Sequence, residues 1–189
     1  MGAIGKSYLS ANEFLSDVWR LAAGIVGSGW RPDLLVALWR GGAPVGVGVH
    51  EFMKSVGWDV RHIAVKCSSY SGIGENCGDV SFECCEEVLG SIREGERVLV
   101  VDDVFDTGKT AAAVKRRLEA AGAQMRIATV YWKPGNNVTD LKPDYFVKSC
   151  SDGWIVFPHE IEGLSEEEIA RKDPELAALI GSARAGKMV

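Results

Sequence analysis

The chain has 189 residues, 47% of them hydrophobic and 25% charged, with a formal net charge of −5. That length suits one α/β domain with a sizeable core, and the composition excludes a disordered or fibrous chain. The acidic balance argues against a dominant nucleic-acid footprint, and no apolar run is long enough to span a bilayer.

The first residues, MGAIGKS, hold no apolar signal core, and Lys6 stands where a myristoylation signal needs Ser or Thr. Cytoplasmic residence is the expectation. Cys67, Cys77, Cys84, Cys85 and Cys150 show no C-x-x-C spacing. They read as structural thiols in a reducing compartment rather than a metal site or disulfide framework.

In chain order, Ser10 and Glu13 form a capping-box pattern, with Leu9 and Phe14 as the accompanying staple. The helix predicted after them buries Phe14, Val18, Leu21, Ala22 and Ile25, and Gly27 to Gly29 end it. Leu34 to Leu38 is a short apolar strand. Arg40-Gly41-Gly42 makes a turn, and Pro44 suits the first turn of a helix running to Met53. Val60 to Cys67 is the next strand, Ser68 to Asp79 a glycine-rich mobile loop, and Val80 to Val88 a weak strand. Val98 to Asp102 is a β-branched run of the kind covered on both faces. The Ala-rich segment Ala111 to Ala121 is a helix closed by Gly122. Ile127 to Trp132 is a strand broken by Lys133-Pro134-Gly135, and Tyr145 to Val147 and Trp154 to Phe157 are two more. Leu164 to Ile180 is acidic and helical, split by Pro174.

This alternation predicts a single α/β domain over 1–189, with a core of about 30–160 and an acidic helical extension over 161–189. Its central sheet is mainly parallel, with helices on both faces. Ligands then bind beyond the carboxyl ends of the strands, where the glycine- and acid-rich turns fall.

The most specific stretch is VLVVDDVFDTGKT, Val98 to Thr110. A buried strand ends in Asp102 and Asp103. Asp106, Thr107, Gly108, Lys109 and Thr110 then lead into a helix. A helix N-terminus offers unpaired N–H groups and the positive end of a dipole, which suits a phosphate. Gly108 lets the backbone come close, and the Thr107 and Thr110 hydroxyls add donors. The two carboxylates suit sugar hydroxyls or a hydrated magnesium ion. A Walker A loop would need glycine five residues before Gly108, and Asp103 is there.

The stretch resembles the 5-phosphoribosyl-1-pyrophosphate (PRPP) signature of type I phosphoribosyltransferases: four apolar residues, two acids, then Asp-Thr-Gly-x-Thr. With it go an Arg-Gly-Gly turn at Arg40, Gly41 and Gly42, and a Ser69-Tyr70 pair opening the mobile loop. Lys133 before Pro134 and the segment Gly153-Trp154-Ile155-Val156-Phe157-Pro158-His159-Glu160 complete the resemblance. The last two features are similar to the xanthine-guanine and hypoxanthine enzymes of that fold. The resemblance implies a type I phosphoribosyltransferase fold with a small hood.

It also implies residue roles. Arg40, Gly41 and Gly42 would grip pyrophosphate, with a cis peptide at Trp39–Arg40. Ser69 and Tyr70 would belong to a loop closing over PRPP. Asp102 and Asp103 would hold the ribose hydroxyls directly or through metal-bound water, and Asp106 would lie near purine N7. Lys133 would hydrogen-bond O6, Trp154 would stack on the base, and the Ile155 carbonyl would read its edge. Glu160 would help bind magnesium and pyrophosphate.

The reaction implied is transfer of phosphoribose from PRPP to N9 of a 6-oxopurine, with Mg2+ as cofactor. The partners are these small molecules, without nucleic acid or membrane, in a homodimer or homotetramer. The rivals are a PRPP-sensing regulator of the same fold and an orotate or uracil phosphoribosyltransferase. The acidic balance and the complete Lys133 and Trp154 base set argue against the regulator, and Lys133 at the O6 position argues against the pyrimidine enzyme.

Overall fold

A computed structural model describes residues 5–69, 80–83, 89–150 and 153–186. Tyr70, Cys77, Cys84, Cys85 and most of the loop after Ser69 lie outside the described residues. The element order is β1 (Lys6–Tyr8), α1 (Ala11–Gly27), β2 (Leu34–Trp39), α2 (Gly42–Ser55), β3 (Arg61–Ser69) and β4 (Val80–Glu83). It continues with β5 (Arg97–Phe105), α3 (Lys109–Ala120), β6 (Gln124–Trp132), β7 (Tyr145–Ser149), β8 (Trp154–Val156), α4 (Glu166–Lys172) and α5 (Pro174–Arg184). The chain divides into two compact units: Asn12–Asp152, and Met1–Ala11 with Gly153–Val189.

The larger unit holds a six-stranded sheet in the order β4-β3-β2-β5-β6-β7, parallel except for the β3–β4 pair. The central strands are buried on both faces, as their unbroken apolar runs require. Leu34, Val36, Leu38, Val98 and Val100 meet Val114 and Leu118 of α3 on one face. On the other face α2 lies close because Gly46 has no side chain. A Cβ there would stand 2.7 Å from that of Ala37. Helices thus cover both faces, as expected.

The signature strand is longer than its apolar run predicts. It continues past both acids to Phe105, paired with β6 at Val104↔Tyr131 and Phe105↔Trp132. The pairing skips Asp103. There the Asp103 amide donates to Asp102 Oδ1 at 3.0 Å, and the Val104 amide donates to Asp103 Oδ1 at 2.7 Å. The acids satisfy the backbone where the ladder is interrupted, so polar residues sit inside a strand at no hydrogen-bond cost.

Helix α1 buries the five apolar residues expected of it and one more, Asp17, which is fully buried. Its carboxylate accepts from Arg20 Nη1 at 2.7 Å, Lys148 Nζ at 2.6 Å and Tyr131 Oη at 3.2 Å. Burial raises its pKa, but the hydrogen bonds from Lys148 and Arg20 outweigh that and hold it below the ordinary carboxylate value. The contribution is therefore full above the unfolded value of about 4 and is lost as pH falls through the lowered folded value. Asp17→Ala is expected to cost about 1.5–3 kcal/mol at pH 7, the worth of a hydrogen bond to a charged group. The larger cost of breaking a fully buried pair does not apply, because the Lys148 side chain is 49% exposed and can rehydrate. Urea unfolding at pH 7 and below pH 4 checks this: the gap between variant and parent should close in acid.

The smaller unit pairs β1 with β8 in a two-stranded parallel sheet, with Lys6↔Trp154 and Tyr8↔Val156 in register. Strand β1 is too short and polar to announce itself in the sequence. Pro174 splits the C-terminal helix as expected. Asp173 closes α4, and its side chain caps α5 through the Glu175 and Leu176 amides. Val156, Phe157 and Ile169 are the buried apolar residues among the described residues of this unit.

Candidate active site

In the larger unit, the site forms at the carboxyl ends of β2, β5 and β6. Strand β2 ends at Trp39, whose peptide to Arg40 is cis, and helix α2 begins at Gly42. The two glycines of this turn have a steric cause. A Cβ on Gly41 would stand 2.1 Å from Asp103 Oδ2, and one on Gly42 would stand 2.4 Å from the Val101 carbonyl oxygen. The turn is thus pressed onto the acid-bearing strand, with Arg40 exposed at its start.

The two acids have different neighbours. Asp103 packs against Gly41. Asp102 lines a cavity of about 100 Å³, with Leu38, Asp106, Thr107, Gly108 and Thr110 among its other walls. Burial, then the neighbouring Asp103 carboxylate, pushes the Asp102 carboxyl well above its ordinary value. A cation or sugar hydroxyls placed beside it would relieve that repulsion.

Gly108 starts α3 in the left-handed region, φ 77°, and no side chain caps the helix. Its N-terminus therefore keeps amide donors at the edge of the cavity, as an anion cradle needs. Thr107 braces the turn through a 3.4 Å contact from the Lys109 amide to its Oγ1. Gly108 is also required from below. A Cβ would meet Thr139 Oγ1 at 2.5 Å and Asn137 Oδ1 at 2.7 Å. The loop after β6 forms this floor: the Val138 amide donates to the Thr107 carbonyl at 3.1 Å, and Asn137 Nδ2 to the Leu141 carbonyl at 2.7 Å.

Lys133 is buried, not a solvated surface lysine. Its amide donates to the Phe105 carbonyl at 2.9 Å, which fixes it beside the end of β5. Its Nζ lies 3.6 Å from Asp106 Oδ2, and Asn136 Nδ2 donates to Asp106 Oδ1 at 2.7 Å. The two expected catalytic residues are therefore together. Asn136, absent from the sequence reading, holds the carboxylate between them. Its signal was faint: an Asn after Lys-Pro-Gly reads simply as turn chemistry. Thr129, buried at the cavity wall, was also missed.

Ser69 ends β3, its backbone opposite Val80 of β4. In the smaller unit, Trp154 is 53% exposed, so it is not the core aromatic its size would suggest. Ile155 lies opposite Ser7. Glu160 is already engaged: its Oε2 accepts the Phe157 amide at 3.1 Å.

Among the described residues, no three His, Cys, Asp or Glu side chains gather as a metal cage. Magnesium does not need one. It is commonly held by one or two carboxylates, with the remaining positions filled by water and substrate phosphates. Asp102 and Asp103 offer hard oxygen donors of that kind.

An uncapped helix start, an acid pair and a buried lysine thus lie together at the strand ends of an α/β sheet. The chain matches the phosphoribosyl transferase domain model over residues 5–165, and it belongs to that family. It is 30% identical over 146 residues to the hypoxanthine-guanine phosphoribosyltransferase of Lactococcus lactis, covering 77% of this chain and 74% of that one. The purine phosphoribosyltransferase structure from Pyrococcus horikoshii superposes with a TM-score of 0.66 at 26% identity, over 85% of this chain and 97% of that one. A hypothetical protein from Neisseria gonorrhoeae, solved with bound ppGpp, superposes with a TM-score of 0.74 at 18% identity, over 93% of this chain and 99% of that one. That last likeness concerns the fold alone. The expected α/β phosphoribosyltransferase fold is the one this chain adopts.

Proposed function

We propose that this protein transfers the 5-phosphoribosyl group of PRPP to N9 of a 6-oxopurine (xanthine, guanine or hypoxanthine) and releases pyrophosphate. The observation that carries the reading is the buried Lys133 ammonium 3.6 Å from the Asp106 carboxylate, at the strand ends beside the phosphate loop. A buried lysine is a strong directional donor for a carbonyl such as O6. The hypoxanthine-guanine relatives support the same reading.

In this mechanism Thr107, Gly108, Lys109 and Thr110 hold the 5′-phosphate. Arg40, Gly41 and Gly42 hold the pyrophosphate, and Ser69 and Tyr70 belong to the segment that closes on PRPP. Asp102 and Asp103 take the ribose hydroxyls and the metal. Magnesium, when bound, neutralises charge on the leaving pyrophosphate. With the imidazole proton on N7, N9 attacks C1 as the C1–oxygen bond to pyrophosphate breaks. Asp106 accepts or relays the proton that leaves N7, and Lys133 polarises O6 to ease that loss. Trp154 stacks on the base, the Ile155 carbonyl reads its edge, and Glu160 adds to metal and pyrophosphate binding. Catalysis is then mostly positioning and charge stabilisation. The two units work as one phosphoribosyltransferase domain, in the cytoplasm, as a homodimer or homotetramer.

A panel of nucleobases, assayed for pyrophosphate release with PRPP and magnesium, tests the proposal. Turnover is expected with 6-oxopurines and not with orotate or uracil. PRPP binding without turnover of any base would overturn it in favour of a sensor.

A further inference from the structure

The matched family region ends at residue 165, yet the helix beyond it reaches back into the segment assigned to the base. Lys172, the last residue of α4, donates from Nζ to the Phe157 carbonyl at 2.7 Å and to the Glu160 carbonyl. Those carbonyls bound the turn that follows β8. The turn is also tied by the Glu160 amide donating to the Phe157 carbonyl at 3.0 Å and the Phe157 amide donating to Glu160 Oε2 at 3.1 Å. Phe157 is only 2% exposed, so the Lys172 bonds to this turn are sheltered from competing water.

The same face of α4 grips the other flank of the segment. Glu168, four residues before Lys172, accepts from Lys6 Nζ at 2.6 Å. Lys6 lies on β1, in register with Trp154 of β8. Glu168 is itself fixed by a capping box with Ser165: its amide donates to Ser165 Oγ at 3.2 Å, and its Oε2 accepts from the Ser165 amide at 2.8 Å. Strand β8 has three residues and one strand neighbour, β1, too little pairing to be rigid alone. Both ends of the Trp154–Glu160 segment are therefore held by one short helix.

We propose that Lys172 is a positioning residue for the purine base: it fixes the Phe157–Glu160 turn and so sets the stacking face of Trp154 and the carbonyl of Ile155. This rests on the reading that Trp154 and Ile155 bind the base. The ammonium is suited to the task because it carries several donors and can serve two carbonyls at once. Its pKa is lowered by burial, an effect opposed by Glu160 and Asp173.

The test compares Lys172→Met and Lys172→Arg in the full chain, with Trp154→Ala as a reference. Lys172→Met is expected to raise KM for hypoxanthine about 10-fold, with a smaller rise in KM for PRPP through Glu160 and little change in kcat. Lys172→Arg, which keeps the charge and several donors, should recover most of that loss. Hydrogen exchange should speed up in Lys172→Met at the Phe157 and Glu160 amides, while the central strands stay protected. If Trp154→Ala raises the base KM and Lys172→Met does not, the positioning role is wrong and the base site stands. Unchanged exchange at Phe157 and Glu160 would equally overturn it. If Trp154→Ala leaves the base KM unchanged, the base-site reading itself fails, and this inference with it.

Discussion

Asp106→Asn is expected to lower kcat by about 100-fold or more while PRPP affinity and the fold survive. The size follows from losing a general acid–base group, typically worth about 10²- to 10⁴-fold. The fold should survive because the carboxamide is isosteric and its oxygen can still accept from Asn136 Nδ2, which holds Asp106 Oδ1 at 2.7 Å. The Asp106 side chain is 42% exposed, but the buried Lys133 ammonium loses this counter-charge, so a modest fall in stability is expected alongside the loss of turnover. Asn136→Ala separates placement from chemistry. It leaves the carboxylate but removes its holder, so a smaller loss in kcat is expected. Single-turnover rates decide the matter, since slow product release can mask a chemical defect. Unchanged single-turnover chemistry in Asp106→Asn would remove Asp106 from the mechanism.

Sequence reasoning reached the parts of this molecule where pattern and structure share one cause. The apolar runs of β2 and β5 and the helical spacing of Phe14, Val18, Leu21, Ala22 and Ile25 are burial patterns, and burial decides those elements. The Asp-Thr-Gly-x-Thr loop was legible because an uncapped helix start needs glycine and small hydroxyl residues at fixed spacing. Features that depend on which distant residues meet were harder. Asp17 lies on the buried stripe of α1, three residues after Phe14 and four before Leu21, yet its partners Tyr131 and Lys148 come from two strands far along the chain. Strand β1 has three residues and no alternation to read, and it exists through its pairing with β8. The resemblance assigns the glycines at 41 and 42 to pyrophosphate, but the proximity of Asp103 and Val101 requires them before any ligand arrives. Gly108 likewise faces Asn137 and Thr139, which no local pattern connects to it.

Lys133→Met is expected to weaken binding of every 6-oxopurine by roughly 10- to 150-fold while sparing PRPP. That range is the loss of one charge-assisted hydrogen bond, about 1.5–3 kcal/mol. Met keeps most of the volume of the stem, so the buried position should still pack. Removing an ammonium whose side chain is only 10% exposed also removes a desolvation cost, so no large fall in stability is expected. Its neighbour Asp106, at 3.6 Å, is exposed enough to be rehydrated. Because the two side chains are in contact, their effects should not multiply. The Lys133→Met/Asp106→Asn double variant should lose less in kcat/KM than the product of the single losses. Adenine supplies the control on the wild-type chain. Its C6 amino group would present a donor to the Lys133 donor, so it should be a poor substrate beside hypoxanthine, which differs from it at that edge. Equal use of adenine and hypoxanthine, or a Lys133→Met variant with unchanged affinity and rate, would mean that Lys133 does not read O6. In the second case the preference for hypoxanthine over adenine would have to come from the smaller unit's Trp154–Ile155 segment, where a backbone carbonyl rather than an ammonium would read the base edge.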